Sequence, residues 1–196
     1  MRNATRLMGI AALIAASVSC GDVVRQGSSP VFLVIDRLTP ASSVTSVFLS
    51  SNVITTTTAT CTVATPCFLP DIATASLRAP LKDTGATASL SPTSNNEVTI
   101  NRIHVEYTRT DGRNTPGVDV PFAFDTAATG TILQAGTLTL DFELVRGVAK
   151  QESPLAQLRT SSNVISTIAK VTFYGIDRVG NQIQATGQIQ IEFGKF

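Results

Sequence analysis

Polar and apolar residues alternate strictly near the C-terminal end of the chain, and this period of two restricts the possible folds more than any other feature. Between 183 and 193 every second residue is apolar or glycine, and a second apolar-rich run occupies 168–176. The stretch 177–181, DRVGN, lies between the two runs and contains the Gly-Asn pair typical of tight turns. Because the side chains of a strand point alternately to opposite faces, this pattern predicts a β-hairpin.

The same period recurs in shorter stretches upstream. The apolar set Ala73, Ala75 and Leu77 predicts a half-buried strand. Within 98–107 the apolar positions change parity near 101–102, which predicts a β-bulge or a strand that crosses between two sheets. The predicted strands are 30–36, 47–49, 71–81, 98–107, 118–124, 138–144, 168–176 and 183–193.

About eight strands separated by turn residues predict an all-β fold, in the form of an antiparallel β-sandwich. Thr, Ser, Val and Ile are plentiful and Trp is absent, which agrees because β-branched side chains fit a pleated surface. One short helix is predicted near 153–159, with Ser153 as the N-cap and Pro154 in the first turn. The closing stretch 171–181, VTFYGIDRVGN, resembles the last strand pair of bacterial immunoglobulin-like domains. This resemblance implies an immunoglobulin-like topology, without the Cys-Trp-Cys core of antibody domains.

The N-terminal residues predict export of the chain. Arg2 and Arg6 precede an apolar run, 7–16, which ends in the small residues of 17–19. A basic start, a brief apolar core and a small-residue exit are typical of a secretory signal peptide. The run is shorter than the roughly 20 apolar residues that a membrane-spanning helix needs. We therefore expect removal of residues 1–19.

The stretch 13–21, LIAASVSCG, resembles the signal of bacterial lipoproteins. In that family the cysteine after the cut, here Cys20, receives a diacylglycerol and becomes the new N-terminus. Ser17 stands where the family prefers Leu, so ordinary signal-peptidase cleavage before an unmodified Cys20 stays open. The resemblance implies a membrane anchor at Cys20, a tether over 20–29 and a domain over 30–196. It places the protein at the cell envelope, in the periplasm or on the cell surface.

Two further cysteines, Cys61 and Cys67, enclose the short stretch 62–66, TVATP. Acylation of Cys20 leaves them as an even pair, and an exported protein favours their oxidation. A metal or redox role would need more ligands or a C-x-x-C spacing, which the sequence lacks. We therefore predict a structural disulfide, and we expect no metal and no cofactor.

The charge balance argues against a nucleic-acid partner. Loss of Arg2 and Arg6 with the signal leaves 13 basic side chains against 14 acidic ones, with no basic run. A nucleic-acid-binding surface depends on clustered Lys and Arg, which neutralise phosphates.

Single polar residues give no catalytic motif. The lone histidine, His104, shares its parity with Arg102 and Glu106, which predicts a solvated strand position. Aspartates near predicted strand ends could gather around Ca²⁺, but turn hydrogen bonding is the commoner reason for aspartate there; they are Asp111, Asp119, Asp125 and Asp177. Three glutamates do not cluster by spacing, although distant carboxylates can meet in a fold; they are Glu143, Glu152 and Glu192.

These observations favour a non-enzymatic domain, anchored through lipid on Cys20, that binds an envelope protein or a polysaccharide through end loops or a strand edge. An envelope hydrolase or glycan-active enzyme built from distant carboxylates is the alternative. It is less favoured because the aromatic residues that stack on sugars are scarce. A purely structural subunit of an envelope assembly is a third hypothesis.

Overall fold

The computed structural model describes residues 29–40, 48–56, 58, 60–82 and 92–196. The predicted signal peptide 1–19, Cys20 and all but the last residue of the tether 20–29 lie outside these described residues. Within them, no helix is long and apolar enough to cross a membrane.

The described chain is mostly β and forms two sheets. The three-stranded sheet has the order β1-β3-β6, with β1 at Val34–Pro40, β3 at Asp71–Arg78 and β6 at Thr137–Val145. The five-stranded sheet has the order β2-β8-β7-β4-β5. Its strands are β2 (Phe48–Asn52), β4 (Val98–Thr108), β5 (Phe124–Ile132), β7 (Ile165–Asp177) and β8 (Gln182–Gly194). The predicted all-β class is confirmed.

One strand pair departs from the expected antiparallel arrangement. β2 runs parallel to the last part of β8, with Phe48 opposite Gln190 and Asn52 opposite Gly194. The other strand pairs among the described residues are antiparallel. A parallel pair is possible here because a long stretch of chain separates the two strands.

The two sheets share one hydrophobic core. Phe142 of β6 and Phe173 of β7 meet edge to face with their ring centroids 5.5 Å apart. Tyr107 of β4 is buried, and its hydroxyl donates a hydrogen bond of 2.6 Å to the Leu144 carbonyl of β6. Ring contact and hydrogen bond both join one sheet to the other. Burial raises the pKa of Tyr107 well above its usual range, so the hydroxyl stays a donor.

The alternation seen in the sequence is realised most clearly in β3 and in the closing hairpin. Ala73, Ala75 and Leu77 are fully buried, while the residues between them face outward. β7 and β8 pair over their whole length through the turn at 177–181, where Gly180 takes a φ of 93°. Glycine fits this left-handed conformation without steric strain.

The predicted parity change in β4 is a β-bulge. The register of β4 shifts between Ile100 and Arg102 on both of its neighbours, β5 and β7. Ile100 and Ile103 are therefore both buried, although their positions differ by three, an odd number. The alternative of a strand crossing between sheets is wrong, because β4 stays in the five-stranded sheet.

Two strand predictions depart furthest from the structure. The first strand begins at Val34 instead of residue 30, and the expected strand 118–124 is mostly a turn. Gly117 donates a backbone hydrogen bond of 2.8 Å to the Val120 carbonyl, which closes that turn. Val118 and Phe122 are consequently exposed, and β5 starts only at Phe124.

The short helix α1, Leu155–Leu158, lies within the predicted stretch. Its N-cap position is held by Pro154, which follows a cis peptide bond, so the predicted capping role of Ser153 is wrong. Two 3-10 turns, Ser94–Asn96 and Val148–Gln151, complete the described helical structure. Leu155 and Leu158 are buried and hold α1 against the core.

Candidate binding surface at the loop end

The domain has two distinct ends, set by the direction of β7. Ser29, the first described residue, hydrogen-bonds the carboxylate of Asp177, where β7 finishes. We call this the tether end. The opposite end, where β7 begins at Ile165, carries three long connections. We call it the loop end, and it consists of the described residues of 53–70, 109–123 and 146–164.

The first connection of the loop end contains the predicted disulfide, which is confirmed. Cys61 and Cys67 are bonded with their Cα atoms 5.3 Å apart. Cys67 also exchanges two backbone hydrogen bonds of 3.0 Å with Thr55. Reciprocal backbone bonds of 3.0 and 3.1 Å between Thr62 and Thr65 close the tip. The disulfide thus holds a small rigid turn whose Val63 side chain is 86% exposed.

The second connection is organised by a carboxylate between two guanidinium groups. Asp111 accepts hydrogen bonds from Arg109, at 2.6 and 3.2 Å, and from Arg113, at 2.7 and 3.0 Å. These hydrogen bonds hold the pKa of Asp111 well below its usual range, and those from Arg113 contribute more than those from Arg109. Asn114 accepts a 2.6 Å hydrogen bond from the Arg109 backbone. The predicted turn role of Asp111 is confirmed, with the arginines as added partners.

The same connection presents apolar side chains beside these charges. Gly117 takes a φ of 76°, and the Phe122 ring lies against the position that a Cβ would fill, so the turn requires glycine. Asp119 accepts a 3.1 Å hydrogen bond from the Thr115 backbone, which is again a turn role. Val118 lies between Gly117 and Asp119 in the chain and is 63% exposed.

The third connection is joined to the sheets by an ion pair between the buried Lys150 and the partly exposed Asp71, which the sequence did not predict. The Lys150 side chain is 2% exposed, and its Nζ lies 2.9 Å from Asp71 Oδ2. The Ser51 hydroxyl donates a 2.6 Å hydrogen bond to the same oxygen. The three residues belong to a 3-10 turn, β3 and β2, so the pair joins three separate segments. No spacing rule connects positions this far apart in sequence.

Two cation–π contacts attach the third connection to its neighbours. The Arg146 guanidinium lies 4.6 Å from the centroid of the Phe124 ring, and that of Arg159 lies 5.0 Å from the Phe68 ring. Arg159 also donates hydrogen bonds to the carbonyls of Ala156 and Gln151. The loop end is therefore a connected structure in which the three segments support one another.

A cleft of about 460 Å³ lies between the second and third connections. Guanidinium, amide and hydroxyl groups line it together with apolar side chains, a mixture found in pockets that bind small polar ligands or side chains. Its lining includes Arg109, Arg113, Val118, Leu158, Asn163 and Val164.

His104 lies on the outer face of the five-stranded sheet, away from the loop end. It is half-buried, and its Nδ1 is 3.2 Å from Asp125 Oδ1, whereas the sequence predicted a solvated side chain. Beside it the Arg102 guanidinium stacks 3.9 Å from the centroid of the Tyr174 ring, and Lys170 pairs with Glu106 at 2.7 Å. Cross-strand pairing accounts for each of these groups.

The acidic residues singled out in the sequence are dispersed. Asp177 is buried in the hairpin turn, Glu143 lies on β6, Glu152 follows a 3-10 turn and Glu192 lies on β8. The described residues contain no group of three or more His, Cys, Asp or Glu side chains arranged to hold a metal ion.

Comparisons with protein-family models, with curated proteins and with solved structures find no match to this chain.

Proposed function

We propose that this chain is an exported, lipid-anchored, non-enzymatic immunoglobulin-like β-sandwich that binds a partner at the cell envelope through its loop end. The proposal combines three parts: the fold, the anchor and the binding surface. Each part has its own support, and the anchor and the binding surface each have a test.

The order of the strands supports an immunoglobulin-like sandwich. Strands β1, β3 and β6 form one sheet, and β8, β7, β4 and β5 lie in the other. Consecutive strands change sheet repeatedly, as Greek-key connections require. A single core of residues from both sheets, with the Tyr107 and Phe142 contacts across it, agrees with face-to-face packing.

The lipoprotein-like signal supports the anchor. Each buried CH₂ of an acyl chain contributes about 0.8 kcal/mol, so the two chains of a diacylglycerol hold a small domain on a membrane without any further lipid-binding surface. Mass spectrometry of the mature N-terminus tests this part. We expect Cys20 as the first residue with diacylglycerol on its sulfur; an unmodified Cys20 would contradict the anchor.

The distribution of exposed apolar side chains is the observation that carries the binding proposal. The largest group of them, six of thirteen among the described residues, lies on the loop end, opposite the point where the tether joins the domain; Phe32, Leu133, Ile176 and Val179 lie at the tether end. A solvated loop would ordinarily be polar, so apolar groups on rigid loops indicate contact with a partner. Those of the loop end are Val63, Leu69, Val118, Phe122, Val148 and Val164.

The groups that line the cleft indicate which kinds of partner it can bind. Arg109 and Arg113 offer the guanidinium N–H groups that do not bond Asp111, while Val118 and Val164 offer apolar contact. Arginine beside apolar groups is enriched where proteins bind one another. Guanidinium, amide and hydroxyl groups equally suit a polysaccharide. Both partner classes are therefore kept, and the experiment separates them.

Site-specific photo-crosslinking in cells tests the binding surface. A photoreactive residue at Val118 is compared with one at Val179, because these valines are similarly exposed, at 63% and 68%, but lie at opposite ends. We expect a discrete adduct from position 118 and none from position 179. Protease or glycosidase sensitivity of the adduct identifies the partner class.

Two outcomes would contradict the proposal. Equal labelling from both positions, or from position 179 alone, would exclude the loop end as the binding surface. Turnover of an envelope polysaccharide by the purified chain would replace the binding function with an enzymatic one.

A further inference from the structure

Half of β8 has a strand partner on only one side among the described residues. β2 covers β8 only from Gln190 to Gly194, and no other described strand pairs with β8 on the side away from β7. The segment 182–189 therefore presents one row of backbone N–H and C=O groups that lacks a ladder partner among the described residues. Such an edge is a template for pairing with a further strand.

Three other edge strands, β1, β6 and β5, carry features that block such pairing. β1 has a charged pair, Asp36 and Arg37, with a register shift between Ile35 and Arg37, and it ends at Pro40. β6 carries Asp141 and Glu143. β5 carries Asp125 and a register shift. Charges, proline and bulges each protect an edge from pairing.

The β8 edge has none of these protections. Its sequence over 182–188, QIQATGQ, contains no charged residue and no proline, and its ladder with β7 has no register shift. The outward row consists of amides and one hydroxyl, which lose less solvation free energy on contact than charged groups would. Ile35 and Leu38 of β1 pack against Gly187 from the inner side, so the edge is supported by the core.

We propose that two copies of this chain pair antiparallel through the β8 edge, about a two-fold axis at Ala185. This register joins the two five-stranded sheets into one continuous sheet. It places Gln182 opposite Gln188 of the second copy, and Gln184 opposite Thr186. Each outward pair is an uncharged pair of hydrogen-bonding groups, so neither repulsion nor an unpaired charge results.

The inward-facing side chains that the two-fold axis places opposite each other also match in size. The half-buried Ile183 faces Gly187 of the second copy, and Ala185 faces itself. Alanine on the axis and glycine opposite Ile183 leave no two large side chains facing each other across the interface. This self-complementarity is the reason for choosing a second copy over an unrelated strand.

The expected dimer is weak in solution, because a seven-residue strand edge is smaller than a standard protein interface. Confinement on a membrane raises the local concentration of anchored copies and favours pairing. Both loop ends remain free, because only the half of β8 near the tether end takes part. The dimer therefore goes beyond the binding function and does not depend on it.

Cysteine crosslinking of the full chain tests the register. Ala185→Cys on β8 is compared with Ala127→Cys on β5, the opposite edge of the same sheet. Directly opposed residues of an antiparallel pair have Cα atoms about 4.5–5.5 Å apart, within the range of a disulfide. We expect a disulfide-linked dimer from Ala185→Cys at ten times the yield from Ala127→Cys or more. Equal yields would overturn the proposed interface.

A pair of matched charge substitutions tests the interface by sedimentation of the detergent-solubilised full chain. Gln184→Lys puts a charge on the open edge, whereas Gln190→Lys makes the same change on the same face where β2 already covers β8. We expect Gln184→Lys to weaken dimerisation at least tenfold and Gln190→Lys to leave it unchanged. A native chain that stays monomeric, or equal weakening by both variants, would refute the proposal.

Discussion

Lys150 shows how a single buried charge organises the loop end. Its amine forms an ion pair with Asp71, and Asp71 also accepts a hydrogen bond from the Ser51 hydroxyl. Removing one partner of a buried ion pair leaves the other charge without compensation, which destabilises far more than the pair itself stabilises.

Lys150→Met tests this role, because methionine keeps much of the side-chain volume without the amine. We expect the free energy of unfolding to fall by about 3 kcal/mol, measured by urea denaturation. Lys195→Met, an exposed position, is the control and should change stability by less than about 0.5 kcal/mol. A Lys150→Met variant as stable as the native chain would show that the ion pair does not stabilise the fold.

Asp177 links stability to pH at the tether end. Burial disfavours its charged form, but hydrogen bonds from the Asn181 side chain and backbone, from Ser29 and from the Val179 backbone outweigh that effect. The pKa of Asp177 therefore lies below its usual value in the folded state. The stability that this carboxylate contributes is present above the unfolded pKa of about 3.9 and is lost as the pH falls through the lower folded pKa.

Asp177→Asn should flatten that dependence. We expect the native chain to lose stability between about pH 5 and pH 2, and the variant to lose less over the same interval. Thermal melting followed by circular dichroism across this range measures the difference. Identical slopes in the two proteins would assign the acid sensitivity to other carboxylates.

At the scale of elements, the disulfide loop is the clearest case of a stabilising constraint. Cys61 and Cys67 close a loop of seven residues, for which the chain-entropy relation gives about 2 kcal/mol. The double variant Cys61→Ser/Cys67→Ser should remain folded and lose about that much free energy of unfolding, because β2 and the core do not depend on the bond. Failure of the variant to fold would instead make the disulfide a requirement of the fold.

The sequence predicts elements best where one face is buried and the other is solvated. β3, β6 and the β7–β8 hairpin follow from alternation, and the bulge in β4 follows from a change of parity. β5 was missed because its sequence, FDTAATGTI, has small residues and a weak period. The Lys150–Asp71 pair could not be predicted, because tertiary packing alone brings these positions together.

At the scale of the whole molecule, the open β8 edge should couple association to stability. A dimer that forms only from folded copies shifts the unfolding equilibrium by mass action, so the melting temperature rises with protein concentration. For a domain of this size, raising the protein concentration from the dissociation constant to a hundred times that value should raise the melting temperature by roughly 3–5 °C.

Calorimetry of the detergent-solubilised full chain at two concentrations measures this shift. Gln184→Lys should melt at the same temperature at both concentrations, because its edge carries a charge that opposes pairing. Gln190→Lys should retain the native shift, because β2 already covers that part of β8. A concentration dependence that survives in Gln184→Lys would place the contact between copies on another surface, and the loop end, with its exposed Val118 and Phe122, would be the first to test.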